Sequence, residues 1–276
     1  MGGGLFFALF LLIPVIWMIL ASLMSTREVT SRPQVYLPTT PRFDNFPALF
    51  QTSRTTVGGP YVPHSDIGPG LANSLIISSV VTALNLAFGI PAAFSIAQAS
   101  RRGGRRVLLF YLATRMLPTA SLMIPLFILF RTLNLLDTRS GLVLAYVPYT
   151  LPFSVWMLTV YFKLIPPELG QAALVDGCNR LRAMWRVILP VSIPALVSVA
   201  IFAFVGAWSE FLLAVVLTSS DRARPVTVAV ANFATDIYIN YNLLAAGGIV
   251  ALIPQLLLAL FFQRYIVTGL LRGAIQ

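Results

Sequence analysis

Polar and apolar residues are segregated along this chain into long blocks. Six stretches carry no Asp, Glu, Lys or Arg, or a single such residue: 2–26, 71–100, 107–130 around Arg115, 141–162, 187–220 around Glu210, and 237–263. A helix rising about 1.5 Å per residue needs roughly 20 residues to cross a hydrocarbon core about 30 Å thick. Each stretch reaches that length, so the pattern predicts an all-α integral membrane protein of six transmembrane helices, folded as a single domain over 1–276. Membrane-spanning strands would be about 10 residues long and alternate in polarity, whereas Leu5 to Leu12 is apolar on every face. Pro14, Pro91, Pro118, Pro125, Pro148, Pro152 and Pro254 fall inside the stretches, where a membrane bundle tolerates proline and several kinks are expected.

Composition agrees. The 276 residues are 58% hydrophobic and 10% charged, against roughly 45–50% and 25% in soluble domains, and the mean hydropathy is +0.84. Too few polar residues remain to coat a water-facing surface. The single Cys178 and single His64 exclude an intramolecular disulfide, a CxxC metal site and an HExxH zinc site, so no metal is expected. Of the basic residues, 18 are Arg and only Lys163 is Lys, giving a net charge of +10. These cations flank apolar runs, a position suited to anionic headgroups and to setting orientation rather than to nucleic acid.

Ten basic residues fall on one side of the six crossings: Arg101, Arg102, Arg105, Arg106, Lys163, Arg180, Arg182, Arg186, Arg264 and Arg272. The other side holds eight: Arg27, Arg32, Arg42, Arg54, Arg131, Arg139, Arg222 and Arg224. The first set is the more concentrated, four of it in a turn expected at 101–106, so both termini are expected in the cytoplasm. The first apolar run lacks a basic n-region and an A-x-A-like site and is therefore a span rather than a secretory signal. It starts so near residue 1 that a further cytoplasmic leader is expected.

Two loops stand out. Residues 25–70 form an external loop between helices 1 and 2, rich in Pro, Ser and Thr, extended and turn-rich; it is either a connector or a docking surface. Residues 163–190 form a cytoplasmic loop in which Pro166-Pro167-Glu168 is a good helix start and Gly177 a good helix stop. Arg182 and Arg186, four apart, are expected on one face of a second helix. This hairpin is open to two readings: arginines on headgroups with Leu181, Met184, Trp185 and Ile188 in lipid, or a protrusion whose small Ala172 and Ala173 seat closely in a cytoplasmic partner.

Read whole, Gln171-Ala172-Ala173, Asp176-Gly177-Cys178 and, after eight residues, Val187-x-Leu189-Pro190 resembles the EAA signature, EAA-x2-DGA-x8-I-x-L-P, of permease subunits in bacterial ATP-binding-cassette importers. Further matching segments are Phe43-Asp44-Asn45-Phe46, Asn73-Ser74-Leu75, Leu117-Pro118 with Ile124-Pro125, Gly206-Ala207-Trp208-Ser209-Glu210-Phe211, and the ending from Gln263 to Ala274. Together they are similar to the sugar-importer branch, in particular to the second maltose permease subunit. Gln171 departs from the usual Glu and removes a charge, Cys178 replaces Ala, and Val187 replaces Ile.

The resemblance implies a type I importer permease fold with a cytoplasmic coupling helix seated in a cleft of a separate ATPase. ATPase coupling would then fall to Glu168, Gln171, Ala172, Ala173, Asp176 and Gly177, with Leu189 and Pro190 at the return to the membrane. Implied partners are a second related permease, two nucleotide-binding subunits carrying ATP and Mg, and an external substrate-binding protein. The cargo would be a sugar or oligosaccharide, crossing the inner membrane by alternating access; glycerol phosphate or another polyol-like solute is the alternative. The chain itself is not expected to be an enzyme or to bind a cofactor, because Lys163 follows Leu158 to Phe162 without the glycines of a Walker A loop.

Ionisable residues inside membrane runs are costly and mark candidate sites. Arg115, Trp208 and Glu210 are the candidates for a translocation pathway. Counted along their runs, Arg115 and Glu210 lie at different depths, so a direct bridge is not expected; Arg115 is expected to satisfy carbonyls near Pro118. Trp208 and Glu210 are either an outer-interface anchor or a sugar-lining pair. An ion-coupled secondary transporter would need more intramembrane acids than Glu210.

Overall fold

A computed structural model describes the backbone of residues 2–51, 66–99, 101–234 and 239–274, with side chains described from Phe10 to Gln263 outside the gaps and Arg101. His64, Arg54 and the side chains of the motif beyond Gln263, those of Arg264 and Arg272 included, lie outside the described residues. Helix α1 is Gly2–Ser22, followed by the short α2, Thr26–Val29, and α3, Asn45–Ala48. The long α4 is Ile67–Gln98, then come α5, Arg101–Thr114, α6, Thr119–Thr132, and α7, Arg139–Lys163. Helices α8, Pro167–Val175, and α9, Arg180–Ala183, lead through a π-helical turn at Met184–Ile188 into α10, Leu189–Val191. The chain closes with α11, Ile193–Trp208, α12, Leu212–Leu217, α13, Val226–Ala231, and α14, Tyr241–Ala274.

Among the described residues, three helices are long and apolar enough to cross a membrane, and five if each of two bent pairs is one crossing. The run over 107–130, where kinks were expected at its prolines, is α5 and α6, bent by 81°. Pro118 causes the break: it sits extended at φ −63°, ψ 126° ahead of α6, without an N–H to continue α5. The other six prolines singled out in the sequence lie inside continuous helices. The expected turn at 101–106 is also corrected, since α5 begins at Arg101; Gly104 comes so near Ile96 that a Cβ would meet its carbonyl oxygen at 2.8 Å. The run over 187–220 divides as well, with an 83° bend before α11 and a second break between Trp208 and Leu212.

The chain forms two compact units. The first comprises 1–74 and 220–256 and has a core of Leu49, Ile67, Ala229, Phe233, Leu243 and Ala246. Asn45, nearly fully buried, donates to the Ser22 and Met24 carbonyls at 2.7 and 3.1 Å and accepts from Asn242 Nδ2 at 2.9 Å. Asn73 donates to the carbonyls of Asp221 and Arg224 at 3.0 and 2.9 Å, while Ser74 Oγ accepts from the Val226 N–H at 2.9 Å. These contacts account for both Asn-bearing segments noted in the sequence: each satisfies loop backbone that would otherwise be orphaned in a buried place. In the loop after α1, the Ser25 N–H and hydroxyl each donate to Glu28 at 2.8 Å, closing a capping box. Hydrogen bonds from the Thr39 hydroxyl foremost, and from Ser25, hold the Glu28 carboxyl down at about 2.

The second unit comprises 75–219 and 257–276. Helix α7 is its centre, packed by α11 and α5, with α12 against α6. Its core gathers Ile90 and Ala93 of α4, Val155, Leu158 and Phe162 of α7, and Met184, Ile188, Leu189 and Val199 from the segment after α9. Asn85 of α4, fully buried, donates to Thr150 Oγ1 of α7 at 2.7 Å and to the Val81 carbonyl at 2.9 Å.

Candidate coupling site

Helix α8 is built as the sequence indicates and then locked. Pro166 precedes it in an extended conformation and Glu168 occupies its first turn, where the helix dipole favours an acid. At its other end Gly177 adopts φ +83°, the Gly177 N–H donates to the Leu174 carbonyl at 3.1 Å, and the Cys178 N–H donates to the Ala173 carbonyl at 2.9 Å. Those two bonds make a Schellman motif, for which the left-handed residue after the cap is usually glycine. Asn179 starts the next helix at once by accepting from the Arg182 N–H at 2.8 Å. Two helices thus meet across a turn with almost no slack.

Adjacent residues of a helix point about 100° apart, and that separates the two alanines. Ala173 is 5% exposed and seats α8 on the unit, whereas Ala172 is exposed, as are Glu168, Gln171, Asp176 and Gly177. Of the two alanines, only Ala172 lies on the exposed face of α8. The sequence reading missed Leu169, Leu174 and Val175, exposed apolar residues of which Val175 reaches 87%. Their signal was present: three large apolar side chains in a short polar loop with no helix partner of their own.

The segment returning to the membrane corrects the lipid-facing reading of the hairpin. Met184 and Ile188 are buried, whereas Leu181 and Trp185 are exposed. Arg182 stands in α9 and Arg186 in the π-helical turn, so the 3.6-residue spacing expected for them does not hold. Leu189 is buried in the core of the second unit and Pro190 is exposed. Behind α8 lies a cavity of about 420 Å³, bounded by the last turns of α4 and α7, by α8 and by Arg180 and Ile188.

The three membrane candidates part company. Arg115 is exposed, and its guanidinium lies over the rings of Tyr149 and Phe153 at 5.0 and 5.7 Å; it makes cation–π contacts rather than capping carbonyls at the Pro118 break. Trp208 is 2% exposed and stacks on Phe204 at 5.6 Å, so it is a core residue and not an interface anchor. Glu210, 8% exposed, accepts from the Leu213 N–H at 2.9 Å and the Ala214 N–H at 3.1 Å with separate oxygens. It caps α12, which explains a carboxylate in an apolar run: the helix start supplies both donors and a favourable dipole.

Residues 85–272 match the family described as binding-protein-dependent transport system inner membrane component. The chain belongs to that family. It is 34% identical to the trehalose/maltose transport system permease protein of Thermococcus litoralis over 99% of this chain and 95% of the relative. It is 34% identical to the trehalose transport system permease protein of Mycobacterium tuberculosis over 96% of this chain and 92% of the relative. The fold matches a chain of a bacterial ATP-binding-cassette transporter that imports the acidic polysaccharide alginate, with a TM-score of 0.72, 25% identity and coverage of 94% and 92%. As an inner membrane component of this family, the chain is a multi-pass membrane protein and a permease subunit, and the resemblance drawn from its sequence holds.

Proposed function

We propose that this chain is the membrane-spanning subunit of an ATP-driven importer that moves a sugar or oligosaccharide handed over by an external binding protein. The observation that carries the coupling half of this reading is α8 itself. It is a helix fixed at its far end by a Schellman turn, seated through Ala173, and presenting Gln171, Ala172, Asp176 and the apolar Val175 outward. A short rigid helix with exposed apolar surface transmits displacement to whatever clasps it. The partner that clasps it is a nucleotide-binding subunit, two copies per complex, which hold ATP and Mg and perform hydrolysis. A second related permease completes the membrane portion. Both termini and the 163–190 loop are cytoplasmic, on the strength of the arginine distribution, and the 25–70 loop faces the binding protein.

The carbohydrate reading draws on the relatives, whose names specify trehalose, maltose or alginate. An anionic cargo, including a phosphate-bearing polyol, is the second reading, favoured by the exposed Arg115 on its aromatic platform. Within the pathway Arg115 is the residue assigned to cargo, while Trp208 and Glu210 hold the helix break behind it. Transport proceeds by alternating access, in which closure of the ATPase pair displaces α8 and the helices rock. The test is the intact mass of the complex, purified in mild detergent through a tag on this chain, followed by a sugar-stimulated ATPase screen. Recovery with a second permease and two nucleotide-binding subunits is expected; a stable monomer or homodimer lacking them would overturn the proposal.

A further inference from the structure

The cavity behind α8 has a chemistry beyond the residues assigned to coupling, of which Gln171 alone lines it. Lys163 and Arg180 both line it, and among the described residues no acid does. Neither cation has an ion-pair partner among the described residues. Two exposed cations on the rim of one cavity favour an anion beside them. Part of the lining is aromatic: Phe94 and Phe162 meet edge to face at 6.2 Å. Depth identifies the occupant. Gln98 and Lys163, the last residues of two span-length helices, both line the cavity, which puts it at headgroup level, with the aromatic wall toward the hydrocarbon and the cations toward water.

We propose that this cavity binds the headgroup of an anionic phospholipid, its phosphate between Lys163 and Arg180 and its glycerol and upper acyl carbons against Phe94 and Phe162. Basic pockets between membrane helices are suited to such headgroups, and about 420 Å³ lies in the range of small-molecule sites. The lipid then forms the floor on which the coupling helix rests. Gly170 of α8 lines the cavity with nothing within 4 Å of where a Cβ would stand, so one wall is left open to an occupant. The side of the membrane rests on the importer reading above; the binding itself does not.

The test uses the whole complex, reconstituted in phosphatidylcholine with and without phosphatidylglycerol and examined by native mass spectrometry after a delipidating wash. The native complex is expected to retain phosphatidylglycerol. Lys163→Gln with Arg180→Gln is expected to weaken retention by about thirtyfold, the factor two basic residues supply at an anionic interface. Gly170→Leu keeps both cations but fills the cavity, and is expected to lose the lipid as well. Arg102→Gln with Arg105→Gln, exposed on α5, is expected to retain it. Equal retention by all variants, or loss of the lipid from the α5 variant alone, overturns the proposal. So does its displacement from the native complex by inorganic phosphate, which would make the cavity a free-phosphate site. The same spectra show which subunits are present: lipid retained without any nucleotide-binding subunit supports the cavity assignment while removing the importer reading.

Discussion

Replacing Gly177 separates what α8 does for its own chain from what it does for a partner. The residue sits at φ +83° and a Cβ built there meets nothing within 4 Å. Side chains other than glycine, with Asn and Asp the mildest, therefore incur the backbone strain of the left-handed region, about 1–2 kcal/mol, while their Cβ meets nothing inside this chain. Gly177→Ala and Gly177→Trp should destabilise the chain by the same amount, a factor of roughly 5–30 in a local equilibrium. That loosens the Schellman turn without unfolding the unit. They should differ greatly in transport, because only Trp adds bulk to the exposed surface that a clasping subunit must accommodate. The assay pairs thermal unfolding of the detergent-solubilised complex with uptake and substrate-stimulated ATP hydrolysis in proteoliposomes. Equal melting temperatures are expected, with reduced uptake for Ala and uptake uncoupled from hydrolysis for Trp. Gly177→Asn, whose residue tolerates this region, should fall nearest the native protein. Transport by the Trp variant at the rate of the Ala variant would refute the coupling role, and unfolding by Trp alone would refute the claim that the space is open.

Glu210→Gln leaves one acceptor oxygen for the two N–H donors of Leu213 and Ala214, which should cost roughly 1–3 kcal/mol. A lower melting temperature with unchanged cargo affinity is expected, and the reverse result would return Glu210 to the pathway. Asn45→Ala strands the Ser22 and Met24 carbonyls and Asn242, a loss of about 3 kcal/mol. Combining it with Asn242→Leu should cost less than the sum of the two, and simple additivity would count against the network. The Glu28 carboxyl is held at about 2 against an ordinary 4.5, so the stabilisation of the 25–39 loop is fully present above about 4.5. It is lost as pH falls through about 2. With the intrinsic pH dependence of exchange divided out, amide protection of that loop should fall over this window in the native protein and stay flat in Glu28→Gln.

Much of the candidate site was legible because it is local. Pro167, Glu168 and Gly177 carry their meaning in their own backbone preferences, and the structure uses each as those preferences dictate. Which alanine faces outward was not legible. The motif names Ala172 and Ala173 together, and only the unit against which α8 rests makes one of them buried. Cys178 closes the turn through its backbone N–H, which any residue but proline supplies, so the turn accommodates it where the motif has Ala.

By itself the sequence determined the class of the protein, its membrane blocks, its basic loops and its family, since hydropathy and charge distribution are properties of the chain before it folds. Tertiary structure decided where those blocks break, that Trp208 and Glu210 are interior, that Arg115 rests on Tyr149 and Phe153, and that a cavity lined by Lys163 and Arg180 lies behind α8. The physical reason lies in the solvent. In water, the buried face of a helix is written as a period of apolar residues. In lipid, the outward and inward faces are both apolar, so packing leaves almost no mark on the sequence and must be read from the neighbours themselves.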